Sequence, residues 1–256
     1  MGLLDLARRM DPRRLLRPLL DFVYPSRCAV CEGPFEGRPP LCPSCLVGLM
    51  KRESAPACEL CAAPVARDGA PCPFCRGRGL YPFARIARLG LYDGSIRTLI
   101  HHLKFRRAWT VGEFLAQRLH AQERVRAILA DADALVPVPL HWKRQFARGF
   151  NQAHVLARRL SRLGLLPIVR PAVRLRDTQT QLRFSIAARH DNMRGAFGLL
   201  GPRTIAGRRL VLIDDVKTSG ATLQSLARAL LPAGPSCVSA IVVGVADPRH
   251  RDFEAV

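Results

Sequence analysis

The sequence predicts an α/β fold in which a parallel sheet flanked by helices follows a small metal-stapled module. Three observations carry this expectation. Two continuous apolar runs, RLVLI (209–213) and CVSAIVVGV (237–245), flank a helical stretch over Ala221–Leu231. Buried parallel strands read as unbroken apolar runs, and the order strand–helix–strand closes a βαβ unit. Eight of the nine cysteines form four C-x-x-C pairs, all before residue 76. Third, the 256 residues are about half apolar, enough to bury the core of one medium domain beside a small one.

The elements follow in chain order. Residues 1–24 read as a basic amphipathic helix interrupted near Pro12. Charges break MGLLDLARRMDPRRLLRPLLDF every few residues and no 18-residue apolar run exists. That predicts a cytoplasmic chain with neither a secretory leader nor a transmembrane segment. Residues 25–80 are rich in Cys, Pro and Gly, as a metal-held module is. The second domain is expected over 81–256. In it, Ile96, Leu99, Ile100 and Leu103 fall at helical spacing, and a second helix is expected from Val111 to Ile128. ALVPVPL (134–140) reads as a short buried strand. Asn151 is the expected N-cap of a helix over 151–163, with Ala153, Leu156, Ala157 and Leu160 inward. Residues 174–196 lack a period and read as a long loop or loose hairpin, the form many functional lids take.

The cysteines are spaced as two copies of C-x₂-C-x₁₀-C-x₂-C: Cys28, Cys31, Cys42 and Cys45, then Cys58, Cys61, Cys72 and Cys75. Each C-x-x-C turn brings two sulfurs to one metal. Two such turns close the tetrahedral S₄ shell that zinc favours in structural sites. Paired cysteines in an intracellular chain favour metal over disulfides, and no surrounding βαβ pattern suggests a redox pair. Two structural zinc ions are expected. The spacing leaves open whether each repeat holds its own ion or the pairs cross. Cys237 stands apart at a strand start and is expected in the core.

The net charge is +20, and only Lys51, Lys104, Lys143 and Lys217 among the 40 basic residues are lysines. A GC-rich coding bias explains Arg in place of Lys, but not 40 basic residues against 20 acidic ones. Residues 141–209 hold 15 basic residues against Asp177 and Asp191 alone. Such a stretch suits an anionic partner.

The most informative stretch is LVLIDDVKTSGAT (210–222). An apolar strand delivers two carboxylates, then a hydroxyl-rich turn with Gly220 opens a helix. Helix N-termini offer unpaired N–H groups to phosphate, and ligands of open α/β sheets bind at this end of the strands. Two carboxylates beside a phosphate repel it unless they hold ribose hydroxyls or a metal. The stretch resembles the phosphoribosyl-pyrophosphate motif of type I phosphoribosyltransferases. The resemblance implies that Asp214 and Asp215 contact the ribose 2- and 3-hydroxyls. It implies too that Val216, Lys217, Thr218, Ser219, Gly220, Ala221 and Thr222 cradle the 5-phosphate.

A wider resemblance narrows the family. VPVPLHWKRQFARGFNQA (136–153) is similar to the segment after the second strand of ComF-type proteins. DTQTQLRFSIAARHDNMRGAF (177–197) resembles their mobile loop, with Gln181, Leu182, Arg189, Asn192 and Phe197 in place. The cysteine-rich region resembles their double zinc ribbon. The resemblance implies a role in natural competence or in processing imported DNA. It also implies Mg²⁺-bound phosphoribosyl pyrophosphate as ligand. Arg144, Arg148, Gly149 and Asn151 then form the pyrophosphate clamp, and Arg189 joins Asp214 and Asp215 as a catalytic group when the loop closes. Two functions stay open at this point. One is an enzyme of the glycosyltransferase class that moves a phosphoribosyl group. The other is a non-catalytic protein that binds single-stranded DNA beside a helicase partner. No histidine is assigned a role, and no general base for a nucleobase is evident.

Overall fold

The computed structural model describes residues 27–35, 37, 40–106, 108–177, 195–201, 204–247 and 249. The helix expected over 1–24 and the loop positions Gln181, Leu182, Arg189 and Asn192 lie outside the described residues. The elements are α1 (Pro43–Glu53), β1 (Ile86–Leu91), α2 (Gly94–Phe105), α3 (Trp109–Ala121), α4 (Glu123–Ala130), β2 (Ala134–Pro137), α5 (Trp142–Arg148), α6 (Gln152–Gly164), β3 (Ala172–Arg174), β4 (Phe197–Leu199), β5 (Arg209–Lys217), α7 (Ala221–Leu230) and β6 (Cys237–Val245). The main sheet runs β1-β6-β5-β2 with every pairing parallel. A separate antiparallel pair joins β3 to β4.

Both faces of the sheet are covered. On β5, Val211 and Ile213 meet the core of α2, α3, α4 and α6, together with Ile241 and Val243 of β6. Leu210 and Leu212 face the opposite core with Ala240, Val242 and the inward side of α7. Side chains alternate along a strand, so a strand buried on both faces is apolar throughout. Each fully buried leucine contributes about 1.5–3 kcal/mol. Cys237, at the start of β6, is only half-buried. Among the described residues no helix is long and apolar enough to cross a membrane.

Two elements differ from expectation. The helix expected over Val111–Ile128 is two helices, because Gln122 is extended at φ −73° and ψ 130°. The next inward turn after Leu119 would fall on Gln122 and Glu123, both polar. The break re-phases the chain so that Val125, Ile128 and Leu129 reach the core. The other addition is α5. Its N-cap is His141, whose Nδ1 accepts from the Lys143 N–H at 3.4 Å, and it stops at Gly149 with φ 80°, the left-handed C-cap that glycine adopts without a Cβ clash. Asn151 then caps α6 as expected: its side chain accepts from the Ala153 N–H at 2.9 Å and donates to the Val138 carbonyl at 2.9 Å.

The two cysteine repeats fold alike. Cys28 N–H bonds the Gly33 carbonyl at 2.9 Å, as Cys58 N–H bonds that of Ala63 at 2.9 Å. Glu32 and Ala62 take the same left-handed turn, at φ 58° and 59°. They dock on opposite faces of the sheet. Cys28, Ala29, Leu41 and Leu49 of the first ribbon and α1 join the core under α2 and α3. In the second ribbon, Ala62 packs with Phe83 and Ile86 on the α7 side. Cys61, Ala63 and Cys72 form a small cluster of their own.

Candidate functional site

The sulfurs gather by repeat: Cys28, Cys31, Cys42 and Cys45 form one set, and Cys58, Cys61, Cys72 and Cys75 the other, all within 4.8 Å of one another. At a Zn–S bond of about 2.3 Å, a tetrahedral edge is about 3.8 Å. Cys31–Cys42 is 3.8 Å, Cys58–Cys75 is 3.6 Å and Cys61–Cys72 is 3.7 Å. Cys28 Sγ also accepts the Val30 and Cys42 N–H groups at 3.5 and 3.4 Å, the bonds a thiolate attracts. Both sets fit a structural zinc ion, and neither leaves a ligand position open for catalysis.

Towards the far end of β5, Asp214 and Asp215 lie just before its last residues, Val216 and Lys217. Gly220 turns the chain at φ 83°, and α7 begins at Ala221. A Cβ on Gly220 would lie 2.7 Å from Leu80 Cδ2, so the chain leaving the second ribbon covers this turn, and the φ of 83° strains any residue other than glycine. Ser219 Oγ accepts from the Ala221 N–H at 3.4 Å. The two acids are not alike. Asp215 pairs with Lys104 of α2 at 3.1 Å, both nearly buried. Asp214 Oδ1 accepts the Asp215 N–H at 2.9 Å. Burial and then the charge of Asp215 push the Asp214 carboxyl up to about 7, against the pull of that hydrogen bond, Lys104 and Arg174.

A cationic wall faces the acids. Arg148 lies half-buried with its guanidinium 5.3 Å from the Phe105 ring centre, and Nη1 donates to Gln152 Oε1 at 3.4 Å. Burial lowers its pKa, while the charge of Asp215 resists that. Arg174 of β3 is buried over Phe197 at 5.7 Å, and Asp214 is the first acid that sustains its charge. Arg144 pairs with Asp177 at 3.0 Å. Arg144 and Arg148 thus share α5, Arg148 within the field of Asp215 and Arg144 paired with Asp177, and Gly149 and Asn151 shape the helix's exit. Lys104 and Arg174 are the members of this wall that the motif reading missed. A signal for Lys104 existed, since it falls four residues after Ile100, on the inward stripe of α2.

Lys217 ends β5, two residues after Asp215, and a Cβ on Gly220 would lie 3.6 Å from its Cε. It is 7 % exposed. Burial lowers its pKa, and the charges that oppose this are the sulfurs of Cys61, Cys72 and Cys58. Arg88 of β1 is also 7 % exposed and donates to the carbonyls of Ala62 at 2.9 Å and Pro56 at 3.1 Å.

A separate groove of about 550 Å³ runs along the outer side of α6. Arg158, Arg159, Arg162 and Arg170 line it, with Trp109 and Phe150 on its wall and Glu113 as its one acid. Arg170 reaches His154 at 3.0 Å. Arg158, Arg159 and Arg162 have no carboxylate partner among the described residues.

Comparison with known proteins agrees with both halves. Residues 19–76 match the double zinc ribbon domain, and residues 147–254 the phosphoribosyl transferase domain. The DNA utilization protein YhgH of Salmonella typhimurium is 32 % identical over 220 residues, covering 84 % of this chain and 94 % of its own. Competence protein F of Haemophilus influenzae is 30 % identical over 214 residues, 81 % and 92 % of the two chains. Competence protein ComFC of Bacillus subtilis is 36 % identical over 104 residues, 39 % of each. With relatives aligned along most of its length and both domain types matched, the chain belongs to the ComF family, a double zinc ribbon joined to a phosphoribosyltransferase-type domain.

Proposed function

We propose that the β5–α7 turn binds Mg²⁺-phosphoribosyl pyrophosphate. The observation that carries this is the unequal acidic pair before a left-handed glycine and a helix N-terminus, faced by Lys104, Arg148 and Arg174. Asp214 and Asp215 take the ribose hydroxyls, and the turn from Val216 to Thr222 takes the 5-phosphate on backbone N–H groups. Arg144 and Arg148 bind the pyrophosphate oxygens, for which a guanidinium fork is suited. Hard carboxylate oxygens suit Mg²⁺, which neutralises the pyrophosphate as a leaving group. In transfer, the bond from ribose C1 to pyrophosphate breaks through an oxocarbenium-like state and a bond from C1 to the acceptor forms. Lys104 and Arg174 hold the carboxylates in place while the charge moves.

Calorimetry tests the reading. The parent is expected to bind the ligand only with Mg²⁺, and Asp214→Asn with Asp215→Asn to weaken it at least hundredfold without unfolding. Equal binding by the double variant would overturn the assignment. Pyrophosphate release with candidate acceptors then distinguishes an enzyme from a binder.

A second reading draws support from the arginine groove and from relatives named for DNA utilization and competence. In it, single-stranded DNA lies along the basic stretch 141–209 beside a helicase partner, its backbone on guanidinium groups and its bases against Trp109. Log K should fall by about 0.7 per phosphate neutralised as log salt rises. Replacing Arg158 and Arg162 with alanine is expected to flatten the slope by about one to one and a half units. If only Arg144 and Arg148 matter, the strand shares the phosphoribosyl mouth instead.

A further inference from the structure

We propose that the groove along α6 is a nucleotide site that takes phosphate on Arg158 and Arg162, stacks the base on Trp109 and reads the amino edge of guanine through Glu113. The proposal deepens the second reading, on which it rests for an anion in this groove, and adds a base preference to it. The walls of the groove are set by a close approach of two helices. A Cβ on Gly112 of α3 would lie 2.7 Å from Val155 Cγ1 of α6. Trp109 and Glu113 flank that glycine, four residues apart and so on one face of α3. His154, Arg158 and Arg162 repeat at the same interval on α6. Both faces line one cavity of about 550 Å³, within the range of roughly 300–1,000 Å³ that small ligands fill.

Each part of the groove suits one part of a nucleotide. Like charges four residues apart destabilise a helix, and an anion between Arg158 and Arg162 removes that cost. Beside them, Arg159 Nε is buried with no hydrogen-bond partner. Arg170 Nη2 lies 3.0 Å from His154 Nε2. A guanidinium only donates, so the imidazole accepts and is neutral, and the rest of the Arg170 fork stays open to phosphate. Trp109 is 55 % exposed, with its ring centre 5.9 Å from that of Phe150. An indole steadied by a neighbouring ring is a stacking surface for a base. Glu113, the one acid of the groove, has no ion pair or hydrogen bond among the described residues. A carboxylate accepts two parallel N–H donors. Guanine presents such a pair in N1–H and its 2-amino group. Adenine and cytosine present an amino group alone, and uracil and thymine set their single N–H between two carbonyl oxygens that repel a carboxylate.

Calorimetric titration of the full chain with guanosine monophosphate and with uridine monophosphate tests this. A short thymidine strand, and the same strand carrying one guanine, form the second arm. The guanine ligand is expected to bind about tenfold more tightly in at least one arm, as a bidentate base-edge contact discriminates. Preference among mononucleotides marks a free nucleotide as the ligand, and preference between strands alone marks a nucleotide within a strand. Glu113→Gln should bring the pair within about threefold by weakening the guanine ligand alone, because an amide oxygen accepts where only one of the two donors reaches it. Replacing Arg158 and Arg162 with alanine should weaken both ligands about tenfold and keep their ratio. All three side chains are exposed, so core packing is untouched, and circular dichroism checks the fold. Equal affinity for guanine and pyrimidine ligands in both arms, or no binding in either, would overturn the proposal. So would a guanine preference that survives Glu113→Gln, which would put the nucleotide at the β5–α7 turn. Strand binding that needs Arg158 and Arg162 but ignores guanine keeps the second reading and removes this proposal. Guanine-selective mononucleotide binding with no strand binding does the reverse.

Discussion

The two cysteine repeats have the same spacing and the same knuckle hydrogen bonds, yet the molecule uses them differently. The first lends Leu41 and Leu49 to the core under α2 and α3 and keeps Cys31 in solvent. Arg106 pairs with Glu32 of its knuckle at 2.8 Å, and Arg118 holds the buried Glu53 at the end of α1, with Nε 2.9 Å from Oε1. The second sits on the opposite face, beside the turn that opens α7, and its Pro56 and Ala62 carbonyls accept from the buried Arg88. A zinc module's fold is thus set by its ligands, and its role by the charges and apolar side chains of the surface it docks on.

The strongest way to break this comparison is to remove one centre at a time. Metal analysis of the parent should find close to two zinc ions per chain. Cys61→Ser is expected to lose the second and, with it, at least hundredfold in affinity for Mg²⁺-phosphoribosyl pyrophosphate. Cys31→Ser should weaken zinc at the first centre and change ligand affinity by less than about threefold. Comparable losses in both variants would show that the ribbons are not specialised.

A smaller effect tests whether the first ribbon is part of the main core. Leu49 is fully buried, so Leu49→Ala should cost about 2–5 kcal/mol in denaturant unfolding. The loss should appear in a single transition. Two transitions would separate α1 from the sheet.

The acidic pair gives a pH signature. The Asp214 carboxyl sits at about 7 when folded and near 4 when unfolded. The folded chain therefore binds the extra proton between those values, and stability falls as pH rises from about 4 to about 7. Above pH 7, Asp214→Asn should be more stable than the parent, by about 1–3 kcal/mol, with the gain fading towards pH 4. Thermal melts across that range read it. A gain that is constant with pH would mean that Asp214 does not titrate there.

The smallest effect belongs to the surface. Arg52 and Asp93 pair at 2.8 Å where α1 meets the loop before α2, both well exposed. Arg52→Met should cost under about 1 kcal/mol. A larger loss would show that ion pairs, rather than Leu41 and Leu49, hold the first ribbon down.

The sequence carried the sheet because its two longest strands are apolar on both faces, a pattern no exposed element tolerates. The metal sets were legible from spacing, though their grouping by repeat needed coordinates. The motif located the acids, but nothing in LVLIDDVKTSGAT states that Asp215 is latched by a lysine 111 positions earlier. Lysine usage offered a clue that went unused. In a chain that writes nearly every cation as arginine, two of its four lysines, Lys104 and Lys217, are buried. A compact ammonium fits where a planar fork does not. The break at Gln122 was also readable, from polar residues on what would have been the inward face. Helix α5 carried no apolar stripe and was invisible to periodicity.

One further consequence lies in the rims of the sheet. At β2, the segment after α6 pairs along the strand: Leu135 N–H bonds the Pro167 carbonyl at 2.9 Å, and Val169 N–H bonds that of Leu135 at 2.9 Å. At β1, the cover is the second ribbon, where Ile86 N–H bonds the Leu60 carbonyl at 3.2 Å, and Arg88 holds the knuckle above the strand. An uncovered strand is a template for pairing with another chain. Stripping the second zinc therefore frees the Ile86 end of β1, an apolar strand with a single charge, to pair with other copies of itself. In a zinc-starved cell the ribbon's absence would be felt first as insolubility.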